Sequence, residues 1–274
     1  MVIFEDGFES GNFVAWTNVQ GYGGGVASVS MEQPRSGIYS AKFEVAPTIE
    51  WAGALCSHNV TGHIELYARA YFLIGQGLPL PAGWFDILTF EEAGEPYEYI
   101  ASVGISKRTG VDAWRLRARN GTGWVSVDGS PVPNTLQYIC VELHVTVDAV
   151  NGAVQLFVNG VLDAQILGID TTAFVLGRAR FGIHKPSEAS ETGAGNLNLI
   201  VYVDNCVVAE EYIGPEEPPP PPCESYLTQA ECEAALCYWY DGTCHSEPAP
   251  PPPPPPDILP LLVLCGIVLL LTQI

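Results

Sequence analysis

Apolar and polar side chains alternate at every second position in several stretches of this chain, most clearly over residues 41–45, 114–118, 141–147 and 154–158. A period of two residues is typical of strands that have one buried face. Asn159-Gly160 directly follows the last stretch and is a strong signal for a tight β-hairpin. The pattern therefore predicts an all-β domain, an antiparallel jelly-roll β-sandwich built from short strands.

The C-terminal part of the chain has a different composition. Fifteen of the 23 prolines lie from residue 215 onward, mostly in runs at 218–222 and 250–256. Such runs adopt extended polyproline II structure and act as semi-rigid spacers. Residues 258–274 follow and are almost entirely apolar. A helix of this length is about 25 Å long, close to the ~30 Å hydrocarbon core of a bilayer. We expect a C-terminal hydrophobic helix that inserts in a membrane, or a tail that is removed as an anchoring or sorting signal.

Four of the eight cysteines, Cys223, Cys232, Cys237 and Cys244, lie close together between the proline runs. So short a segment cannot build a sufficient hydrophobic core, so two disulfides are the expected stabilising element. Three pairings are possible, of which we favour Cys223–Cys237 with Cys232–Cys244. A zinc site with His245 as an extra ligand is the alternative, although the CxxC spacing of zinc ribbons is absent.

These features define both a domain organisation and a location. The N-terminus has no basic start, apolar core or cleavage site, so no signal peptide is predicted in this chain. We expect a single-pass membrane protein at the cell surface, with its N-terminal domain outside and its cysteines oxidised. Its parts are a β-domain (1–214), a proline-rich linker (215–222), a two-disulfide module (223–247), a polyproline linker (248–257) and a transmembrane or anchor segment (258–274).

Charge excludes one class of partner and singles out one segment. Acidic residues outnumber basic ones 31 to 11, which gives a formal net charge of −20 and argues against nucleic acid as a ligand. Arg115, Arg117 and Arg119 nevertheless occupy one face of a predicted strand, and Trp124 follows after a turn. Sugar sites combine an aromatic ring with orienting polar groups, and arginine binds carboxylates or sulfates bidentately. These four residues, with Trp84 as a further aromatic platform, are the predicted ligand-binding site. The alternative is a solvent-facing strand whose arginines pair with neighbouring acids.

Several segments carry a resemblance to a known superfamily. Residues 8–16 (FESGNFVAW), 36–43 (SGIYSAKF) and 201–205 (VYVDN) look like the edges of lectin-type jelly rolls. Residues 152–160 (GAVQLFVNG) resemble laminin-G domains and the concanavalin A-like lectin/glucanase superfamily. The resemblance covers about 200 residues. It implies a β-sandwich in which the first and last strands are neighbours.

The same resemblance implies a structural calcium ion near the junction of those two strands. Calcium prefers six to eight hard oxygen ligands from carboxylates and carbonyl groups. Glu9 and Asp204 would be the side-chain ligands, with Asp6 or Glu32 as a third. The alternative is that these acids are solvated turn residues.

The superfamily includes glycosidases, so paired carboxylates are the first catalytic signature to look for. Retaining enzymes need two carboxyl groups ~5–5.5 Å apart. The glucanases of this superfamily carry a Glu-x-Asp-x-x-Glu strand motif, which the resemblance makes the relevant comparison. Asp86 and Glu91 are five positions apart and so face opposite sides of a regular strand, whereas Glu92 lies ~20 Å along the strand from Asp86. The motif is absent, and no catalytic residue is expected.

The sequence thus predicts a surface-displayed, membrane-anchored and non-catalytic binding protein that recognises carbohydrate or another surface ligand. One alternative is a structural component of a cell envelope or virion. A second alternative is a divergent polysaccharide hydrolase or lyase.

Overall fold

The computed structural model describes residues 1–47, 51–93, 98–107, 110–121, 123–133, 136–172, 174–185, 198–216, 228–234, 237–240 and 243–245. The chain divides into two compact units, Met1–Pro215 and Glu216–Ile274. Each unit is described by itself below.

The first unit is built from strands. In its described residues these are, in chain order, β1 (Val2–Asp6), β2 (Asn18–Tyr22), β3 (Gly25–Ser30), β4 (Ser40–Val45), β5 (Ala52–Asn59), β6 (Glu65–Gln76), β7 (Trp84–Glu92), β8 (Tyr99–Ser106), β9 (Ala113–Asn120), β10 (Gly123–Pro131), β11 (Ile139–Thr146), β12 (Gly152–Val158), β13 (Val161–Ile169), β14 (Leu176–Lys185) and β15 (Leu199–Ala209).

These strands form two antiparallel sheets. In the described part of the chain, the eight-stranded sheet has the order β13-β12-β11-β6-β15-β4-β3, with β1 also paired to β15, and the seven-stranded sheet has the order β10-β9-β8-β7-β14-β5-β2. The first and last strands are neighbours, with Asp6 opposite Cys206. The predicted jelly-roll sandwich is therefore confirmed.

The alternating stretches of the sequence coincide with strands β4, β9, β11 and β12. The turn between β12 and β13 is also as predicted, because Asn159 and Gly160 have φ angles of 50° and 80°. Two successive positive φ angles give the backbone twist that a two-residue hairpin requires.

Each sheet contributes one apolar face to a common core. On β9 the core side chains are Trp114, Leu116 and Ala118, and on β14 they include Phe181 and Ile183. Because successive side chains point to opposite faces, the intervening residues of both strands lie on the outer face of the seven-stranded sheet. That outer face carries the chemistry described below.

The second unit contains a short helix, α1 (Gln229–Ala234), and a two-stranded ribbon of β16 (Tyr238–Tyr240) and β17 (Thr243–His245). A disulfide joins Cys232 to Cys244, and Cys237 is also disulfide-bonded. Oxidised cysteines are not zinc ligands, so the zinc alternative does not fit. Cys223 lies outside the described residues, and the full two-disulfide module stays a prediction.

The predicted C-terminal segment, 258–274, also lies outside the described residues. Among the residues that are described, no helix is both long and apolar enough to cross a bilayer. Membrane anchoring and display at the cell surface stay predictions.

Candidate active site

The outer face of the seven-stranded sheet carries a row of polar side chains in register across five adjacent strands. Ser57 of β5 pairs with Arg180 of β14, which pairs with Thr89 of β7. Thr89 in turn pairs with Ser102 of β8, and Ser102 pairs with Arg117 of β9. Since neighbouring strands are about 4.8 Å apart, the row is about 19 Å long. We call this surface the polar face.

Strand β7 contributes two carboxylates to the polar face, because its alternation is interrupted. Ile87 and Leu88 are consecutive core residues, and the register with β8 shifts between Asp86 and Leu88 and again at Glu91. A bulge changes which side chains share a face. Asp86, Thr89 and Glu91 therefore lie on the same side of the sheet. The expectation that Asp86 and Glu91 face opposite sides is wrong, because it assumed a regular strand.

His184 of β14 is the centre of a cluster that includes two tyrosines. The Tyr22 hydroxyl lies 2.5 Å from His184 Nδ1, and the Tyr99 hydroxyl lies 2.8 Å from the same nitrogen. Arg180 Nη1 donates a hydrogen bond to the Tyr99 oxygen over 3.3 Å. These residues come from β2, β8 and β14, so strands that are distant in sequence form one site.

Burial sets the protonation states of this cluster. Burial lowers the pKa of His184 to about 3, and the positive charges of Arg180 and Arg117 act in the same direction. The imidazole is therefore neutral at neutral pH, and its Nδ1 can accept a hydrogen bond from a tyrosine hydroxyl. Burial raises the pKa of Tyr22, although the charge of Arg180 opposes this shift. The pKa of Tyr99 is raised as well, again mainly by burial.

The lowered pKa of His184 makes the stability of the protein depend on pH. An unfolded histidine has a pKa of about 6.5, so between pH ~6.5 and ~3 the unfolded chain binds the proton that folded His184 rejects. The free energy of unfolding should therefore fall as pH drops through this range, by at most about 1.4 kcal/mol per pH unit from this group, and stay constant above it. Urea titrations at several pH values should show a shallower acid loss in His184→Gln than in the wild type. Equal slopes would contradict the buried neutral imidazole.

The cations of the polar face are partly balanced by its two carboxylates. Glu91 is almost fully buried and forms ion pairs with Arg180 and, over 3.7 Å, with Arg178 Nε. Asp86 Oδ2 lies 3.7 Å from Arg117 Nη1. One carboxylate is thus shared between two arginines, which leaves positive charge at this part of the sheet.

The five residues predicted to bind a ligand come together at the β9 end of the polar face. The Arg117 guanidinium lies over both Trp84 and Trp124, at 4.3 Å from each ring centroid. Arg115 also lies over Trp84, at 4.6 Å, and Arg119 lies over Trp124, at 5.1 Å. Arg115 and Arg117 are buried rather than solvent-facing. Arg117 and Arg119 each pair with an acid, Asp86 and Glu98 respectively. We call these five residues the arginine–tryptophan ladder.

The predicted calcium ligands are occupied by hydrogen-bond donors. Asp204 is buried and accepts hydrogen bonds from the backbone N–H groups of Arg35, Ser36 and Asn205. Burial raises the pKa of its carboxyl to about 6, against the effect of those bonds. A carboxylate surrounded by N–H groups is poorly placed to bind a cation.

The other predicted calcium ligands show the same arrangement. Glu9 accepts from the backbone of Ile38 and Tyr39, and Asp6 accepts from the Trp16 indole over 2.6 Å. Glu32 accepts instead from the Tyr202 hydroxyl and Lys42. Within the described ranges, no three His, Cys, Asp or Glu residues converge on a point that could hold a metal ion. The residues present do not fit a calcium ion in this geometry.

Removal of calcium should accordingly have no effect on stability. We expect the melting temperature of the protein to be the same with and without a strong chelator, because the three carboxylates are satisfied by N–H donors. A drop of several degrees that added calcium reverses would establish the calcium site that the sequence predicts.

The fold and the polar face together define a class of protein. The chain has a jelly-roll β-sandwich fold, with a face of arginine, tyrosine, histidine and tryptophan side chains. No protein-family model matches the sequence, and no curated protein matches it.

Several solved structures have a similar fold. The endo-β-1,4-glucuronan lyase of the fungus Trichoderma reesei is 14% identical, with a TM-score of 0.62 over 77% of this chain and 96% of the lyase. The cellulose-induced protein Cip1 is 15% identical, with a TM-score of 0.56 over 78% of this chain and 100% of its own. The alginate lyase Aly36B is 10% identical, with a TM-score of 0.56 over 75% and 91% of the two chains. At these identities the similarity shows the fold.

The expectation of a non-catalytic protein is corrected by this comparison. Two of these three similar structures are polysaccharide lyases, which points to a glycan-active enzyme. The absence of paired carboxylates on one strand does not exclude a lyase, whose catalytic groups need not be carboxylates. Tyr22, Tyr99, His184 and Arg180 were missed, since they come from three separate strands and share no motif. The only sequence signal for this cluster was a second set of alternating arginines, Arg178 and Arg180.

Proposed function

We propose that this protein is a polysaccharide lyase that cleaves a uronate-containing polysaccharide by β-elimination. The observation that carries the proposal is the cluster of Tyr22 and Tyr99 on His184 Nδ1, next to Arg117 and Arg180. The fold neighbours described as glucuronan lyase and alginate lyase support it, since both names state a uronate polymer as substrate.

β-Elimination begins with the removal of a weakly acidic proton, at C5 of the uronate. The C5 proton becomes more acidic when the adjacent carboxylate is neutralised by cationic donors. Arg117 and Arg180 both lie close enough to His184 for their charges to lower its pKa. A uronate carboxylate bound between these guanidinium groups would place C5 beside the tyrosine–histidine cluster.

Tyr22 is the best candidate for proton transfer. Its ring belongs to the edge strand β2 and is only partly buried, and Arg180 lowers the pKa of its hydroxyl against the effect of burial. Burial, and in second place the charges of Arg180 and Arg117, make His184 a weak base, and a bound carboxylate would offset the effect of these charges. His184 could then hold the Tyr22 proton while the phenolate oxygen takes the proton from C5. Tyr99 is a positioning residue, since its hydroxyl contacts both His184 and Arg180.

The proposed reaction is balanced without water. The electron pair of the C5–H bond forms the C4=C5 double bond, and the C4–O glycosidic bond breaks. The departing oxygen takes a proton from the Tyr22–His184 pair, which regenerates the starting protonation state. The products are a new reducing end and an unsaturated uronate at the new non-reducing end.

The arginine–tryptophan ladder would bind further parts of the polymer. Arg117 is enclosed by two indole rings, so its N–H edge is the part available to a carboxylate. Trp124 is 39% exposed and offers a ring surface to a sugar.

The test is turnover of glucuronan, alginate and a neutral glucan by the full chain. We expect ultraviolet absorbance of the unsaturated product with at least one polyuronate, none with the neutral glucan, and none with a His184→Gln variant. New reducing ends without that absorbance would indicate hydrolysis and contradict the proposal.

Gly53 gives a further test of the role of Tyr22. Gly53 pairs in register with both Tyr22 and His184, and a Cβ atom at this position would lie 2.5 Å from the end of the Tyr22 ring. Because the clash is with the tip of a flexible side chain, we expect Gly53→Ala to displace Tyr22 while the fold survives. Its kcat should fall at least about tenfold at an unchanged melting temperature.

A matched control is Gly7→Ala, where the added Cβ has its nearest contact at 3.8 Å. We expect this variant to keep full activity. Wild-type activity in Gly53→Ala would show that Tyr22 need not occupy its observed position.

A further inference from the structure

We infer that a polar cavity beside Arg178 is a second sugar-binding subsite, which holds a residue of the polysaccharide further along the chain from the one that is cleaved. The inference rests on the proposed function for the identity of the polymer. It rests on the cavity itself for the existence and chemistry of the subsite.

The cavity lies at one end of the polar face. It has a volume of about 440 Å³ and is lined by Thr17, Asn18, Asn59, Thr61, Ala93, Gly177 and Arg178. This volume is within the range of small-molecule sites and is sufficient for one pyranose ring. None of the residues used in the proposed reaction lines it.

The register of the strands places Arg178 of the cavity on the same face of the sheet as the candidate active site. Arg178 is two residues from Arg180 on the same face of β14, which is a separation of about 7 Å along the strand. Asn18 is four residues, or about 14 Å, from Tyr22 along β2. A polymer that reacts at Tyr22 and His184 would therefore reach the cavity with a residue further along the chain.

The lining has the chemistry of a sugar site rather than of an apolar pocket. Two threonine hydroxyls and two asparagine amides supply both donors and acceptors, as the hydroxyl groups of a pyranose require. Arg178 adds a cation, and the lining residues that the structure describes include no acid and no aromatic ring. These residues would hold a sugar by its hydroxyl edges, unlike a sugar stacked on the arginine–tryptophan ladder.

The arrangement predicts that binding depends on the length of the oligosaccharide. An oligouronide that is long enough to enter the cavity would gain the hydrogen bonds of Asn18 and Asn59. Loss of both amides should then weaken binding of long oligouronides by about tenfold or more, because each net hydrogen bond contributes about 1 kcal/mol. Binding of the shortest oligouronides should not change.

The experiment is a calorimetric titration with di- to hexasaccharides of glucuronan and alginate. It uses the inactive His184→Gln background, so that no substrate is consumed. Two changes are tested in this background: Asn18→Ala with Asn59→Ala, and Thr61→Trp, which fills the cavity from an exposed turn. The matched controls are Asn151→Ala and Val161→Trp, which are exposed positions away from the polar face.

We expect both cavity variants to lose the gain in affinity that longer oligouronides show, and the controls to keep it. Equal affinities of cavity variants and controls at every length would overturn the subsite, and so would the absence of any binding. If the controls keep the length-dependent binding and the cavity variants lose it, but the wild type cleaves neither polyuronate, the proposed function would be contradicted and the subsite would remain supported.

Discussion

Replacement of Tyr22 by phenylalanine is expected to lower kcat on a polyuronate by about 10²–10⁴-fold, the usual contribution of general acid–base catalysis. The change removes only the hydroxyl that lies 2.5 Å from His184 Nδ1 and leaves the ring over Gly53. Steady-state kinetics should show the loss in kcat with a much smaller change in KM, because the arginines that bind the carboxylate are untouched.

The matched control is Tyr67→Phe. Tyr67 also contacts a histidine, because its ring stacks on His144 with ring centroids 4.1 Å apart, but it belongs to the eight-stranded sheet. This variant should retain wild-type kinetics. A Tyr22→Phe variant that keeps more than about a tenth of the wild-type kcat would remove Tyr22 from the proton-transfer role.

Replacement of Glu91 by alanine is expected to destabilise the protein by about 3–5 kcal/mol, the typical result of removing one partner from a buried ion pair. The Glu91 side chain is 1% exposed and is shared between Arg178 and Arg180. Without it, two guanidinium groups would remain close together in a desolvated environment. Chemical unfolding followed by tryptophan fluorescence measures the change.

Glu98→Ala is the control for this prediction. Glu98 also pairs with an arginine of the polar face, Arg119, but its side chain is 44% exposed. Exposed ion pairs contribute little, so the free energy of unfolding should change by no more than about 1 kcal/mol. Similar losses in the two variants would mean that burial does not decide the strength of these pairs.

Much of the fold could be predicted from the sequence, because alternation and turn chemistry are local properties. Strands β4, β9, β11 and β12 and the Asn159-Gly160 turn follow directly from the residues in each segment. Strand β2 gives a weaker signal, since most of its residues are exposed and none is fully buried. An edge strand of this kind has no alternating pattern to detect, yet it carries Tyr22.

The candidate active site could be predicted only in part, for reasons of register. Arg115, Arg117 and Arg119 share a face because β9 is regular, so their position beside Trp124 follows from their spacing. The bulge in β7 moves Glu91 to the face of Asp86, and no local signal in the sequence marks it. The meeting of Tyr22 and Tyr99 at His184 depends on the order of strands in the sheet, which alternation does not determine.

The mass of the products formed from glucuronan or alginate tests the central proposal most directly. In each β-elimination, the fragment that receives the new non-reducing end is unsaturated and one water molecule lighter than the fragment that hydrolysis would create, whereas the other fragment has the same mass in both reactions. The proposal predicts that mass spectrometry finds an unsaturated residue at every new non-reducing end with the wild type, saturated fragments only from the original non-reducing ends, and no fragments with Tyr22→Phe beyond its small residual rate. Saturated new non-reducing ends, or no cleavage of either polyuronate by the wild type, would contradict it.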